Sequence, residues 1–188
     1  MLRRTLRRAV PGPVETSVRQ ELPVGSLVHY VGRSVPLSFA DDAAAWLTDH
    51  EEAQVTRASR AALLRAVNEE ALAKASDLLR EVYGADIEIL APRVCYIEGA
   101  RLLEPIMHFR VRSAHAHAAL VKRQLAHRAA AIFDEEDGNE RYLVRGTGPL
   151  AGLLGLGDVL LAATAGDAEY WSWLSHYAPV GPDGDQAA

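Results

Sequence analysis

Two histidines lie inside apolar runs far apart in the chain: His108 in LLEPIMHFRVRS (102–113) and His176 in SHYAPV (175–180). Both runs read as strands, and a sheet brings such segments side by side. Joined by Glu104 or Tyr177, the two imidazoles would make a general acid–base cluster, because histidine exchanges protons near neutral pH. The alternative is structural, with both histidines holding strand ends. His115, His117 and His127 suggest a metal site at first sight. Residues two apart on a helix do not face each other, however, and position 117 lies too far from 127 to share an ion. No metal site and no cofactor are therefore expected. The lone Cys95 excludes an internal disulfide and a cysteine-based zinc site, suits a reducing compartment, and reads as a small buried apolar residue.

Cations and tryptophans offer a different chemistry, that of binding. In AHAHAALVKRQLAHRAA (114–130) a helix that turns Val121 and Leu125 inward places Arg123 and His127 opposite, with Lys122 and Arg128 on the flanks. Contact with RNA or another anion competes there with a solvated amphipathic face. Arg3, Arg4, Arg7 and Arg8, with no acid before Glu15, are a second candidate for RNA or an acidic partner, against an inert tail. Trp171 and Trp173 point to one face of the last strand, with Tyr170, Ser172 and Leu174 on the other. An exposed pair would be a platform for a protein, a ligand or a base. Core filling or a domain interface is the alternative for these two and for Trp46.

These groups need elements to position them. LVHYV (27–31) predicts a strand, and Ser38 with Asp41 predicts a capping box that opens a helix through FADDAAAWLTDH. Residues 55–82 read as strongly helical, with Leu64, Val67, Ala71, Ala75, Leu78 and Val82 on one stripe and Asn68 as a cap that divides it. ADIEILAPRVCYI (85–97) alternates as a strand, and Pro92 belongs at an edge, a bulge or a break between two strands. The second half runs strand (102–113), helix (114–131), a hairpin turning at Asp137-Gly138-Asn139, an apolar helix opened by Pro149 and closed by Gly166, and a last strand. That is the split βαβ, ferredoxin-like order.

The 188 residues suffice for one ordinary domain or two small ones, and 49% apolar with 24% charged residues is enough for a packed core. A net charge of −5 argues against a general nucleic-acid coat but leaves room for a local basic patch. No apolar run reaches the ~18 residues a membrane helix requires. The opening MLRRTLRRAVPGP reads as a short basic tail rather than a transit peptide, and a cytoplasmic protein is expected. GTGPLAGL (146–153) is Gly-rich but lacks the lysine of a phosphate loop, and no G-x-x-x-x-G-K-[ST] occurs elsewhere. The chain is therefore not expected to bind or hydrolyse GTP.

Residues 102–180 resemble the C-terminal domain of the elongation factor G family, which includes the tetracycline ribosomal-protection proteins. LLEPIM (102–107) matches the opening of that domain. GPL (148–150), Gly155, Leu160, Thr164, Gly166, Tyr170 and SHYAPV fall on its closing helix and strand. LLREVYGADIEILAPRVCYIEG (78–99) is similar to the end of the family's third domain and the start of its fourth. The resemblance implies a chain without the family's GTPase and, since position 99 runs almost directly into Leu102, without its fourth domain. It also implies losses: where relatives carry arginine, glutamine and arginine facing ribosomal RNA, this chain has Leu161, Ala165 and Asp167.

The expected architecture is α+β. A basic tail (1–20) precedes a helix-rich unit (21–99) similar to the end of the third domain, then a ferredoxin-like antiparallel sheet (101–180) with helices on one face, then a short tail (181–188). The expected function is that of a non-catalytic binding module derived from the translational-GTPase C-terminal half. Its partner would be the ribosome, RNA or a protein, with self-association through the Trp-bearing sheet as a further possibility and no membrane partner. The alternative is a repurposed enzyme or small-ligand binder that uses the sheet face and a pocket between the halves, with Glu104, His108, His176 and Tyr177 as its working groups.

Overall fold

A computed structural model describes residues 22–33, 38–48, 50–58 and 61–181. The chain forms two antiparallel sheets, each with its helices on one face. The first unit runs β1 (Val24–Tyr30), α1 (Phe39–Trp46), β2 (Ala53–Ala58), β3 (Ala61–Ala66), α2 (Glu69–Tyr83), β4 (Ile87–Ile89) and β5 (Arg93–Val94). Its strand order is β2-β3-β1-β4, and β5 also pairs with β1. Pro92 falls in the break between β4 and β5, where no ladder donor is needed. Phe39 of α1 joins the core by edge-on contacts with Tyr30 and Tyr83, at centroid distances of 5.4 and 5.3 Å.

This unit is less helical than its sequence suggests. Residues 55–58 and 61–66 belong to the antiparallel pair β2 and β3, not to a helix. Ala62, Leu64 and Ala66 alternate as buried residues and pair with Val28, Ser26 and Val24 of β1. Only α2 keeps the helical character. Asn68 caps it by accepting from the Ala71 N–H at 2.9 Å, and Ala71, Leu72, Ala75, Ser76 and Leu79 form the buried stripe. The stripe is thus shifted in phase, and Val82 is exposed. The capping box at Ser38 is not formed: its hydroxyl donates to the Asp42 carboxylate at 2.8 Å, and Asp41 pairs with Arg57.

The second unit is β6 (Leu103–Ala114), a 3-10 turn (His115–His117), α3 (Ala118–Ala126), β7 (Ala131–Asp137), β8 (Arg141–Pro149), α4 (Leu150–Leu153), α5 (Leu156–Ala163) and β9 (Glu169–Pro179). Its order, β7-β8-β6-β9, repeats that of the first unit and is the ferredoxin-like arrangement. Met107, Phe109 and Val111 of β6 meet Tyr142 and Val144 of β8 on the inner face, under Val121 and Leu125 of α3 and Leu153, Leu156 and Leu160 of α4 and α5. Helix α3 ends at Ala126, short of the expected 131, and Ala129 is already left-handed at φ 52°. The apolar helix expected from Pro149 to Gly166 is divided at Gly155, whose φ of 75° suits glycine. The edge strand β7 carries Asp134, Glu135, Glu136 and Asp137, charges that discourage pairing with another chain.

Two features join the units. Ile97 and Leu103 exchange both backbone hydrogen bonds, at 3.0 and 2.9 Å, so the connection is a tight loop of residues 98–102. The N-terminus of α2 then meets the second unit. The Glu69 carboxylate accepts from the Gly155 N–H at 2.9 Å, and the Asn68 side chain donates to the Ser172 carbonyl at 3.1 Å.

Candidate functional site

The helices cover one face of the β6–β9 sheet and leave the other open. In β6 the odd residues from Pro105 to Ser113 are buried, and the even ones point outward. Across the open face, His108 lies opposite Thr147 and Trp173, Arg110 opposite Arg145 and Trp171, and Arg112 opposite Leu143 and Glu169. Phe133 of β7, at the register shift between Ile132 and Asp134, also reaches this face.

A row of rings crosses the sheet. His108 stands between Phe133, 6.1 Å away and edge-on, and Trp173, 5.7 Å away at a 32° tilt. Phe133 is 63% and Trp173 48% exposed, so neither fills the core. The neighbouring row is cationic. The Arg110 guanidinium lies 4.1 Å from the centroid of Trp171, a cation–π contact, and Arg112 approaches the same ring at 5.9 Å. Arg112 also donates to Glu169 at 2.6 Å, which holds that carboxyl below its ordinary value. Arg145 bonds Asp134 and Glu136 of the edge strand. Of these arginines Arg110 is the one that makes a ring contact and no ion pair among the described residues.

The register spreads the acid–base candidates along the sheet. His108 and His176 do share the open face, but His176 lies opposite Ile106, one register row away, and its Nδ1 sits 3.1 Å from the Ser175 hydroxyl. Glu104 lies a further row away, opposite Ala178, with its carboxyl pushed up by burial. Tyr177 lies opposite the buried Pro105, so the strand pleat turns it to the other face. His115 pairs with Asp137 at 2.7 Å. Cys95 is half-buried, and burial pushes its thiol up.

The basic helix is thinner than its sequence. Lys122 is held by Glu135 and lies 5.3 Å from the Tyr142 ring centroid. Arg128 donates to the Gly152 and Leu154 carbonyls at 2.9 and 3.2 Å, fastening the chain between α4 and α5. It is a structural clamp, and Gly152 has to be glycine because a Cβ there would strike the Arg128 carbonyl. Arg123 and His127 are exposed on the outer side of this segment. Arg3, Arg4, Arg7 and Arg8 lie outside the described residues.

A cleft of about 690 Å³ opens between the units, walled by α2, α5 and the start of β9. Glu69, Glu70, Asp158 and Glu169 line it with Arg80, Tyr170 and Trp171. Burial raises the Glu69 carboxyl and pushes the Tyr170 phenol up to about 12. None of Glu104, His108, His176 or Tyr177 lines this cleft.

Residues 101–187 match the family model described as Elongation factor G C-terminus. The second unit is an elongation factor G C-terminal-like domain. The chain is 33% identical over 81 residues to Elongation factor G 2 of Vibrio parahaemolyticus, covering 43% of the chain and 12% of that relative. It is also 30% identical over 82 residues to the mitochondrial Ribosome-releasing factor 2 of Danio rerio, covering 44% of the chain and 11% of that relative. The chain therefore spans a small part of the length of these relatives. A crystal structure from Thermus thermophilus superposes over 94% of the chain and 44% of its own, with a TM-score of 0.59 and 16% identity. The two units thus recur together as a fold. Within the C-terminal-like domain, Leu161 is exposed, while Asp167 accepts from the Ala114 N–H at 2.6 Å and lies 3.9 Å from Arg141. No helix among the described residues is long and apolar enough to cross a membrane.

Sequence reasoning missed Arg110, Arg112, Arg145 and Phe133. For the first two the signal is in HFRVR (108–112), where alternation places His108, Arg110 and Arg112 on one face. Phe133 carries no such signal, because the register shift in β7 decides its direction.

Proposed function

We propose that the chain is a non-catalytic binding module derived from the C-terminal half of a translational GTPase, acting on the ribosome or its RNA. The observation that carries this reading is the open face of the second sheet, which displays rings and guanidinium groups from paired strands. The C-terminal-like domain supplies the ancestry, and fold alone does not decide function. Arg123 on α3, His127 just past its end and the N-terminal arginines are further candidate contacts.

Sedimentation with purified ribosomes across a salt series tests it. Co-sedimentation should weaken with salt, as phosphate contacts do, and weaken again in an Arg110→Ala/Arg123→Ala variant. Arg128→Ala should instead lower stability, because its partners are carbonyls of its own chain. Absence of co-sedimentation at low salt overturns the ribosomal reading and leaves a protein partner or self-association. A second reading, a small-ligand binder, draws on the cleft of about 690 Å³ between the units and its Tyr170 and Trp171 walls.

A further inference from the structure

We infer that the open face of the β6–β9 sheet is a stacking platform for single-stranded RNA, with Phe133, His108 and Trp173 receiving bases and Arg110 meeting the backbone. This rests on the binding-module reading and names the site and the chemical form of its ligand.

Three observations carry it. The rings form a row across the strands, with centroids 6.1 and 5.7 Å on either side of His108, and the outer two are exposed. Bases stack on such rings without regard to sequence, but only when they are unpaired. The arginines lie in the next register rows, so a strand of nucleotides laid along the rings has guanidinium groups beside it. Arg110 is already stacked on Trp171, which holds the guanidinium in place on this face.

The charges that flank the rings argue against a protein occupant. A second copy of the chain or an apolar helix laid flat here would bury the Arg112–Glu169 pair and the Arg145 pairs with Asp134 and Glu136. Taking such pairs out of water is costly. Stacked bases cover the rings and leave these pairs at the wet margin. The same pairs set the character of binding. With most cations already matched by carboxylates, stacking supplies the affinity and few phosphates are neutralised.

The test uses the full chain and a labelled oligouridylate of about ten nucleotides, long enough to cover one such face. Fluorescence anisotropy and tryptophan quenching report binding, with a duplex of the same length as control. Single-stranded RNA should bind and the duplex should not. The logarithm of the affinity should fall with the logarithm of salt at a slope of about −1, the value for one or two phosphates on a single strand. Trp173→Ala and Phe133→Ala should each weaken binding by about tenfold or more, with Trp173→Phe restoring most of it. Both side chains are exposed, and far-ultraviolet circular dichroism checks that the variants fold. The inference is overturned if the oligonucleotide fails to bind at low salt, if the duplex binds equally, or if the ring variants bind unchanged. Ribosome co-sedimentation that persists without oligonucleotide binding overturns this inference and leaves the module reading intact. Oligonucleotide binding without co-sedimentation supports this inference and overturns only the ribosomal part of the module reading. Concentration-dependent dimerisation abolished by Trp173→Ala, without RNA binding, assigns the face to a second copy and also overturns it.

Discussion

Asn68 joins Ser172 across the two units while it caps its own helix: its Nδ2 donates to the Ser172 carbonyl at 3.1 Å, and its Oδ1 accepts from the Ala71 N–H at 2.9 Å. One side chain therefore fixes both the start of α2 and the placement of α2 against β9. Asn68→Ala should lose both bonds and cost about 1–2 kcal/mol, the usual worth of an N-cap. Asn68→Asp keeps the acceptor and loses the donor, so it should preserve helix content yet weaken the coupling of the units. Differential scanning calorimetry distinguishes the two effects. Asn68→Asp should broaden or split the transition, and a single unshifted peak would show that the bond to Ser172 contributes nothing.

Glu69 gives a pH dependence. Burial raises its carboxyl above the ordinary 4.5, outweighing the Gly155 N–H that favours the charged form. A carboxyl raised in the folded state contributes stability that is complete below the unfolded value and is lost as pH climbs through the folded one. The window therefore opens at 4.5 and extends upward. Glu69→Gln retains an oxygen for the Gly155 N–H and cannot ionise. It should flatten this slope and be at least as stable as the native chain at neutral pH. Urea midpoints measured from acid to neutral pH check this, and parallel slopes in the two proteins would contradict it.

Tyr142 is buried in the second core, and its hydroxyl finds no hydrogen-bond partner among the described residues. Burial first, then the charges of Glu135 and Asp137, push the phenol up to about 12. Tyr142→Phe should raise stability by about 1 kcal/mol, since an unsatisfied buried hydroxyl is removed at constant shape. In a chain of this size that corresponds to about 3 °C in Tm. A phenol raised in the folded state stabilises below its unfolded value of 10, and that contribution is lost as pH climbs to about 12. The advantage of the variant should therefore widen in that alkaline window. Thermal melts at neutral and alkaline pH decide, and a lower Tm for the variant at neutral pH would count against the assignment.

The second unit was legible because its signals are local. Period-two alternation marks β6, the Asp137-Gly138-Asn139 segment marks the turn between β7 and β8, and the pleat places Trp171 and Trp173 together. The pair β2 and β3 was not legible. Ala61, Ala62, Leu63, Leu64, Arg65 and Ala66 are all good helix formers. What makes them a strand is pairing with β1 on one side and β2 on the other, contacts that no window of sequence contains. The site divides in the same way. His108 and the tryptophans follow from the strand pattern, whereas the fate of Lys122 and Arg128 depends on Glu135, Gly152 and Leu154, which only the tertiary fold brings near.

The paired bonds between Ile97 and Leu103 have a consequence for how this architecture can be elaborated. Residues that exchange both backbone bonds hold their Cα atoms about 5.5 Å apart, so the chain leaves one unit and enters the other through a single gate. Any folded body whose two ends lie equally close could be spliced into the loop at Gly99 without prying the units apart. The loop thus has the geometry of an insertion port, a place where a module could be added or removed while the scaffold on either side stays the same.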